Sequence, residues 1–245
     1  MCSSDAEGPW LELEGARIAL DLPALLRREA RITAVTARRV ALHRLPPGGE
    51  EAPPPPAPDA PLIPALPELP VTVRLDRLAV ERIELGEPVA GVAAVLRAEG
   101  EALYAASRLS AKLTVTRLDA PAEIRADIDL APGADRLVAR LEANEPPGGL
   151  LATVLGLPDR ATTVHLTLDG PASGAALELR AALGEDITLT ANGTIRAAPD
   201  GAAGARLTLA VAAAPLLPEA LRAAAMPLAV DLDATIDAVQ RVTLT

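Results

Sequence analysis

The chain has 245 residues and a formal net charge of −10, and this acidic balance argues against nucleic-acid binding, which needs a clustered positive field. Half of the residues are hydrophobic, which is enough for a folded chain, but Phe is absent and the only aromatic residues are Trp10 and Tyr104. An apolar core without aromatic bulk indicates either thin packing or an apolar face spread over a sheet.

Targeting and redox signals are sparse. The single cysteine, Cys2, excludes an internal disulfide framework. No apolar run approaches the ~20 residues of a membrane-spanning helix. The start of the chain lacks the basic and apolar regions of a signal peptide. We therefore expect the chain as written to carry no signal or membrane anchor.

The first 45 residues predict strands around one short helical turn. Residues 10–20 alternate apolar and polar side chains, which is typical of a strand or hairpin. Residues 22–28 contain Pro23 near the start of a predicted helical turn. Residues 30–44 predict one long strand.

Residues 46–70 differ sharply in composition, since they hold 11 of the 24 prolines. Proline lacks the backbone donor that a strand ladder needs, so this stretch predicts a solvated loop. It separates the first strands from a longer region over residues 71–245.

From residue 71 onward the chain repeats the two-residue period of a strand with one apolar face. The clearest example is residues 69–91, and a long hairpin is predicted to turn at Glu99-Gly100-Glu101. Two short helices flanked by proline are predicted near residues 147–156 and 216–225. We expect an all-β fold, an extended, curled antiparallel sheet that forms a β-groove, with the two halves as a degenerate repeat.

The sequence offers few candidate catalytic or metal-binding residues. His43 and His165 lie far apart, and neither has another histidine or a cysteine at metal-ligand spacing. The carboxylates of Asp127 and Asp129 are explained as the polar half of a strand, as are those of Asp231, Asp233 and Asp237. Asn192-Gly193 predicts a turn. The sequence therefore predicts no enzyme, no catalytic residue, no cofactor and no metal.

The apolar half of the alternation is the candidate functional surface. A second sheet could cover it, giving a structural or adhesin-like β-sandwich, or the sheet could curl around an apolar ligand such as an acyl chain. Periodicity alone leaves both open. The candidate lining residues are Val71, Val73, Leu75, Ile124, Ile128, Leu130, Val164, Leu166, Leu168, Leu177, Leu179, Ile187, Leu189, Leu207, Leu209, Val211, Leu228, Val230 and Leu232.

Several segments, in order, resemble one family. They are the opening from Ser4 to Leu13, Leu25-Leu26-Arg27-Arg28, Ile32 to Val40, Arg44-Leu45-Pro46, the proline-rich gap, Leu69-Pro70-Val71 with Leu78 to Gly86, and Glu145-Pro146-Pro147-Gly148-Gly149-Leu150 with Leu155-Gly156-Leu157-Pro158. This order is similar to the amino-terminal part of the TamB family of alphaproteobacterial type, which belongs with the AsmA-like, repeating β-groove lipid-transfer proteins.

The resemblance implies a groove in the periplasm that moves phospholipid acyl chains between the inner and outer membranes and supports outer-membrane protein assembly. It also implies an inner-membrane tether and an outer-membrane barrel partner, TamA. The family's amino-terminal anchor and carboxy-terminal domain have no counterpart in these residues, so we expect either an internal fragment or a sequence read from a late start, which cannot do the full work alone.

Overall fold

The computed structural model describes residues 9–45, 70–106, 108–197, 203–212, 228–236 and 242–244. All of the strands in these ranges belong to one 15-stranded sheet. Its strands are β1 Leu11–Glu14, β2 Arg17–Asp21, β3 Glu29–Ala37, β4 Arg39–Leu42, β5 Thr72–Leu85, β6 Ala94–Ala105, β7 Arg108–Arg117, β8 Glu123–Ala131, β9 Arg136–Glu145, β10 Thr162–Gly170, β11 Ala175–Leu183, β12 Ile187–Ala197, β13 Ala203–Ala212, β14 Leu228–Ile236 and β15 Val242–Leu244.

Helices are few and short in the described part of the chain. They are α1 Glu87–Ala90, α2 Leu150–Val154 and two 3-10 helices, Leu22–Arg27 and Pro132–Ala134. Helix α2 lies within the predicted helix near 147–156, whereas α1 was not predicted. The second predicted helix, near 216–225, and nearly all of the proline-rich stretch over 46–70 lie outside the described residues.

The predicted fold class is confirmed: the chain is all-β, and its sheet is curled and not closed. From β5 to β15 each strand pairs antiparallel with the next one along the chain, as a meander. Successive antiparallel strands need only short turns, and the sequence supplies turns of this kind between many of its strands.

The first hairpin corrects one detail of that prediction, because the sheet is mixed and not purely antiparallel. β3 and β4 run parallel to β5, and Glu29 pairs with Thr72 while Leu42 pairs with Leu85. Parallel neighbours need a crossover of a dozen or more residues. Residues 43–71 supply that length between β4 and β5.

This first hairpin is one long ladder with a kink in its middle. Glu14 pairs with Arg39 and Arg17 pairs with Thr36, so the register continues unchanged across Gly15. The predicted single strand over 30–44 is therefore observed as β3 and β4, interrupted at Arg38. The hairpin turns through the helix Leu22–Arg27, whose first turn is capped by a hydrogen bond from the Ala24 amide to Asp21 Oδ1 (3.3 Å).

Two glycines that predicted turns lie inside strands instead. Gly100 is in the middle of β6, whose hairpin with β7 turns after Ala105, and Gly193 is in β12, paired with Leu177 and Leu207. A Cβ at Gly193 would clash with the carbonyl oxygen of Arg206, and one at Gly100 would lie 2.6 Å from that of Lys112. Both predictions were wrong because glycine serves here to admit a neighbouring backbone in a strongly bent sheet.

Candidate functional site

One face of the sheet is mainly apolar and the other carries most of the charged and polar residues. Paired residues on neighbouring strands point to the same face, so the register extends one face across the whole sheet. We call the face that carries Leu166 the groove face and the face that carries His165 the polar face. One row of the groove face runs through Gly100, Leu113, Ala126, Leu141, Leu166, Leu179, Ala191, Leu209 and Val230.

The adjacent row on the polar face shows the contrast. It runs through Glu99, Thr114, Arg125, Glu142, His165, Arg180, Thr190, Ala210 and Ala229. Ten strands, β5 to β14, at about 4.8 Å spacing give a groove face about 45 Å long across the strands.

The strand register brings the predicted lining residues together on the groove face, with the exception of Val71. That residue lies just before β5, in a bend, and no strand pairing assigns it to either face. Leu168, Leu177 and Ile187 are buried, and most of the others with described side chains are half-buried. The backbone register pairs Leu228 with Val211 and Leu232 with Leu207.

The sequence-based list missed the contributions of β6, β7 and β9 to the groove face. Leu96, Leu113, Leu137 and Leu141 all lie on it by register. The signal was weak in β6 because Val95, on its polar face, breaks the contrast between the two faces. In β9, Leu141 alternates with Arg140 and Glu142, and this pattern was sufficient to find it.

The part of the groove face on β9 to β12 carries buried side chains without a second layer of strands over it. Leu137 is fully buried and clusters with Leu168, Leu177, Ala172 and Ala175, although all the described strands belong to a single sheet. Burial of one face without a second sheet requires the sheet itself to curl, so the groove face is its concave side. The polar face is the convex side, where solvent reaches the charged residues.

At one rim of the groove, the segment with α2 crosses the ends of the strands. Arg117, on the groove face of β7, donates from Nη1 to the carbonyl oxygen of Gly148 (3.0 Å), and Gly148 follows β9. Helix α2 also contacts α1, which follows β5. Since α2 bridges from β9 back toward β6, it lies on the concave side and covers this rim.

A buried carboxylate fixes α2 in that position. Glu145, at the end of β9, is 2 % exposed, and its Oε2 accepts a hydrogen bond from the amide of Leu151 (2.8 Å) in the first turn of α2. The first amides of a helix have no partner within the helix, so this bond satisfies one of them. The neighbouring Arg117 is held by Asp119, and its guanidinium lowers the pKa of the Asp119 carboxyl.

At the opposite rim of the groove, the turn between β10 and β11 folds over the ends of the strands. Ala172 in this turn is buried in the core cluster, and its carbonyl oxygen accepts a hydrogen bond from the amide of Ala197 at the end of β12 (2.8 Å). The amide of Ser173 donates to Asp135 Oδ1 (3.1 Å) in the connection before β9. The turn therefore covers the rim from β9 to β12.

Two of the predicted polar-face carboxylates contact neighbouring strands. Asp129 accepts from Arg108 Nε (2.8 Å) and from Arg136 Nε (3.0 Å), and these contacts lower the pKa of its carboxyl. Asp231 accepts a hydrogen bond from Thr208 Oγ1 (2.8 Å). These acids hold neighbouring strands together, in agreement with their explanation as the polar half of the alternation; Asp237 lies outside the described residues.

The histidines are far from one another on the sheet. His43 Nε2 lies 3.4 Å from Glu12 Oε1 at the first hairpin, whereas His165 is exposed on β10 between Glu142 and Arg180. Within the described ranges, no group of three or more His, Cys, Asp or Glu residues is arranged to hold a metal ion. Among these same residues, no helix has the length and apolar character needed to cross a membrane.

Comparisons with protein-family models, with curated proteins and with solved structures found no match to this chain. Its class therefore rests on the fold itself: an open, curled, all-β sheet with an apolar concave face and a polar convex face.

Proposed function

We propose that this chain is a segment of a lipid-transfer protein of the TamB type, and that its groove face holds phospholipid acyl chains. One observation carries the proposal: a continuous apolar face lies on the concave side of a sheet that does not close. Covering apolar surface is favourable by about 25 cal/mol per Å². Acyl chains have the chemistry to occupy such a face without any specific polar contact.

The dimensions are compatible with this ligand. The groove face is about 45 Å long across the strands. One acyl chain spans half of a hydrocarbon core of about 30 Å. Ala98, Ala111, Ala126 and Ala143 alternate with larger apolar residues on this face, and their small side chains leave room inside the curl. In this proposal the protein works in the periplasm, tethered to the inner membrane and acting with an outer-membrane barrel partner such as TamA.

The test compares two adjacent residues on opposite faces of β10. Leu166→Glu adds a carboxylate to the groove face, and Thr167→Glu adds the same charge to the polar face. The chain is incubated with phosphatidylethanolamine and phosphatidylglycerol vesicles, and bound phospholipid is counted by native mass spectrometry. We expect lipid on the wild type and on Thr167→Glu, and a loss of at least fivefold for Leu166→Glu.

Circular dichroism separates loss of lipid from loss of fold. Leu189→Glu and Thr188→Glu on β12 repeat the comparison at a second site. A wild-type chain that binds no phospholipid, or equal lipid loss in both members of each pair, would reject the proposal. Either result would favour a structural or adhesin-like role.

A further inference from the structure

A pocket of about 620 Å³ lies on the polar face, opposite the groove, where the first hairpin meets β5 and β6. Its central row is Arg17 on β2, Thr36 on β3, Ala79 on β5 and Glu99 on β6, each paired with the next. Small-molecule sites are typically about 300–1,000 Å³. The pocket therefore has the size of a site for a small molecule.

The depression exists because three local irregularities meet at the same level of the sheet. The hairpin is kinked at Gly15, which has a φ of +62°, and Arg38 lies opposite. A Cβ at Gly15 would lie 2.5 Å from Arg38 Nε, so glycine makes room for this guanidinium. On β5 the register with β6 shifts between Leu75 and Leu78 and again between Val80 and Ile83. Such bulges change the direction of side chains, and here they bring Arg77 and Glu81 to the pocket.

The charge around this pocket is opposite to that of the chain. Arg17, Arg38, Arg77 and Arg97 line it, against only Glu81 and Glu99, in a chain of net charge −10. The adjoining pocket is balanced, with Arg77 and Lys112 against Glu99 and Glu101. The excess of positive charge is thus local to the larger pocket.

These four arginines also differ from most arginines of the sheet in their contacts. Most other guanidinium groups pair with carboxylates, as Arg140 does with Asp169 (3.1 Å) and Arg39 with Glu84 (2.6 Å). In the described part of the chain, no carboxylate lies within 4.0 Å of the guanidinium groups that line the pocket, and their donors are left for a ligand. Guanidinium groups match phosphate oxygens in bidentate geometry, and such bonds are about twice as strong as neutral ones.

We propose that this arginine pocket, defined by Arg17, Arg38, Arg77 and Arg97, binds the phosphate group of a small phosphate-bearing ligand. Glu81 and Glu99, which also line the pocket, accept hydrogen bonds from a hydroxyl or ammonium group beside that phosphate. The site lies on the opposite face from the groove and does not depend on acyl-chain binding. Its phosphate belongs either to a soluble compound or to a lipid headgroup at a membrane surface.

The first experiment uses pyrophosphate as the probe, with isothermal titration calorimetry at low ionic strength. The double variant Arg38→Gln/Arg97→Gln removes two pocket charges, and Arg140→Gln/Arg180→Gln removes two exposed charges from the same face outside the pocket. We expect saturable binding to the wild type, at least a tenfold loss of affinity in the pocket variant, and less than a twofold change in the control. Affinity should also fall as salt is added.

An NMR titration of the unmodified chain keeps the test independent of folding of the variants. Pyrophosphate should shift the Nε–Hε signals of Arg38 and Arg97 and leave those of Arg140 unchanged. Absence of saturable binding, or equal weakening in both double variants, would overturn the proposal.

A flotation assay then distinguishes the two phosphate sources. Phosphatidylglycerol vesicles that carry the wild type, release it with pyrophosphate and fail to carry Arg38→Gln/Arg97→Gln identify a lipid headgroup. Pyrophosphate binding without flotation identifies a soluble ligand. If the wild type and Arg38→Gln/Arg97→Gln float equally and pyrophosphate does not bind, the proposed phosphate site is overturned.

Discussion

Arg39 on β4 holds Glu84 on β5 through two hydrogen bonds to the same carboxylate oxygen, Oε2, from Nη2 (2.6 Å) and Nε (3.0 Å). Nη1 of Arg39 reaches Glu14 on β1 in the opposite direction (2.9 Å). One guanidinium thus joins three strands of the sheet at the point where parallel and antiparallel pairing meet.

The contact between Arg39 and Glu84 predicts that part of the stability of the fold is lost at acidic pH. Hydrogen bonds from Arg39 and Arg82 lower the pKa of Glu84 from 4.5 to about 2. A carboxyl whose pKa is lower in the folded state stabilises the fold above its unfolded pKa, and that contribution is lost as pH falls toward the folded value. We expect Glu84→Gln to lower the melting temperature at pH 7, with the difference from wild type shrinking between about pH 4.5 and pH 2.

The matched control for this prediction is Glu178→Gln, because Glu178 is exposed and its ion pair among the described residues is with Arg180 on its own strand (3.2 Å). Surface ion pairs of this kind contribute little. The control should follow the wild-type curve at every pH. A Glu84→Gln difference that is constant from pH 7 to pH 2 would contradict the assigned pKa.

Leu137 should be among the most sensitive apolar positions. It is fully buried in the cluster with Leu168 and Leu177. Leu137→Ala should leave a cavity and lower the free energy of unfolding by about 2–5 kcal/mol. Leu26, in the first hairpin turn, is 91 % exposed, so Leu26→Ala should change stability by less than about 0.5 kcal/mol. Urea unfolding of the two variants measures the difference. Similar losses in both would mean that the concave side is not the core.

Glu145 should act through the amide of Leu151 at the start of α2. Loss of the carboxylate in Glu145→Ala leaves that amide without its partner, at a cost of about 1–3 kcal/mol, whereas Glu145→Gln keeps an acceptor oxygen and should lose less. Hydrogen exchange of the Leu151 amide, followed by NMR, should be fastest in Glu145→Ala. Unchanged exchange in that variant would show that α2 is held by other contacts.

Gly193 should be intolerant of any side chain. A methyl group there meets the carbonyl of Arg206 on β13, and relief of such a contact typically costs about 1–3 kcal/mol. Nothing lies within 4 Å of a Cβ at Gly133, so Gly133→Ala is the control and should be nearly neutral. Thermal unfolding compares the two variants. A Gly193→Ala protein as stable as the control would mean that the backbones of β12 and β13 do not approach closely at this position.

The apolar face could be predicted because its signal is local. Strand alternation assigns each residue to a face, and Leu166, His165 and Leu168 fall on the expected sides without knowledge of the neighbouring strands. Long-range pairing carries no such signal. The parallel ladder of Glu29 with Thr72 depends on a crossover whose direction the sequence pattern does not specify.

Irregular positions were the other limit of prediction. Glycine favours turns by its backbone freedom, so Gly100 and Gly193 were assigned to turns, although the fold uses them where two backbones approach. The arginine pocket depends on two register shifts in β5, which displace Arg77 and Glu81 from simple alternation. A bulge of this kind is set by strands on both sides and leaves no mark in the residues themselves.

The mixed topology also determines the order in which the chain can fold. Every ladder from β5 to β15 joins neighbours along the chain, so these hairpins can form as soon as both of their strands exist. The ladder of β3 with β5 joins residues 43 positions apart, such as Glu29 and Thr72, and must close a much longer loop first. Until β5 is synthesised, the edge of β3 and β4 therefore stays unpaired, and an unpaired strand edge can join another chain. Misassembly during synthesis should consequently begin at the edge formed by β3 and β4.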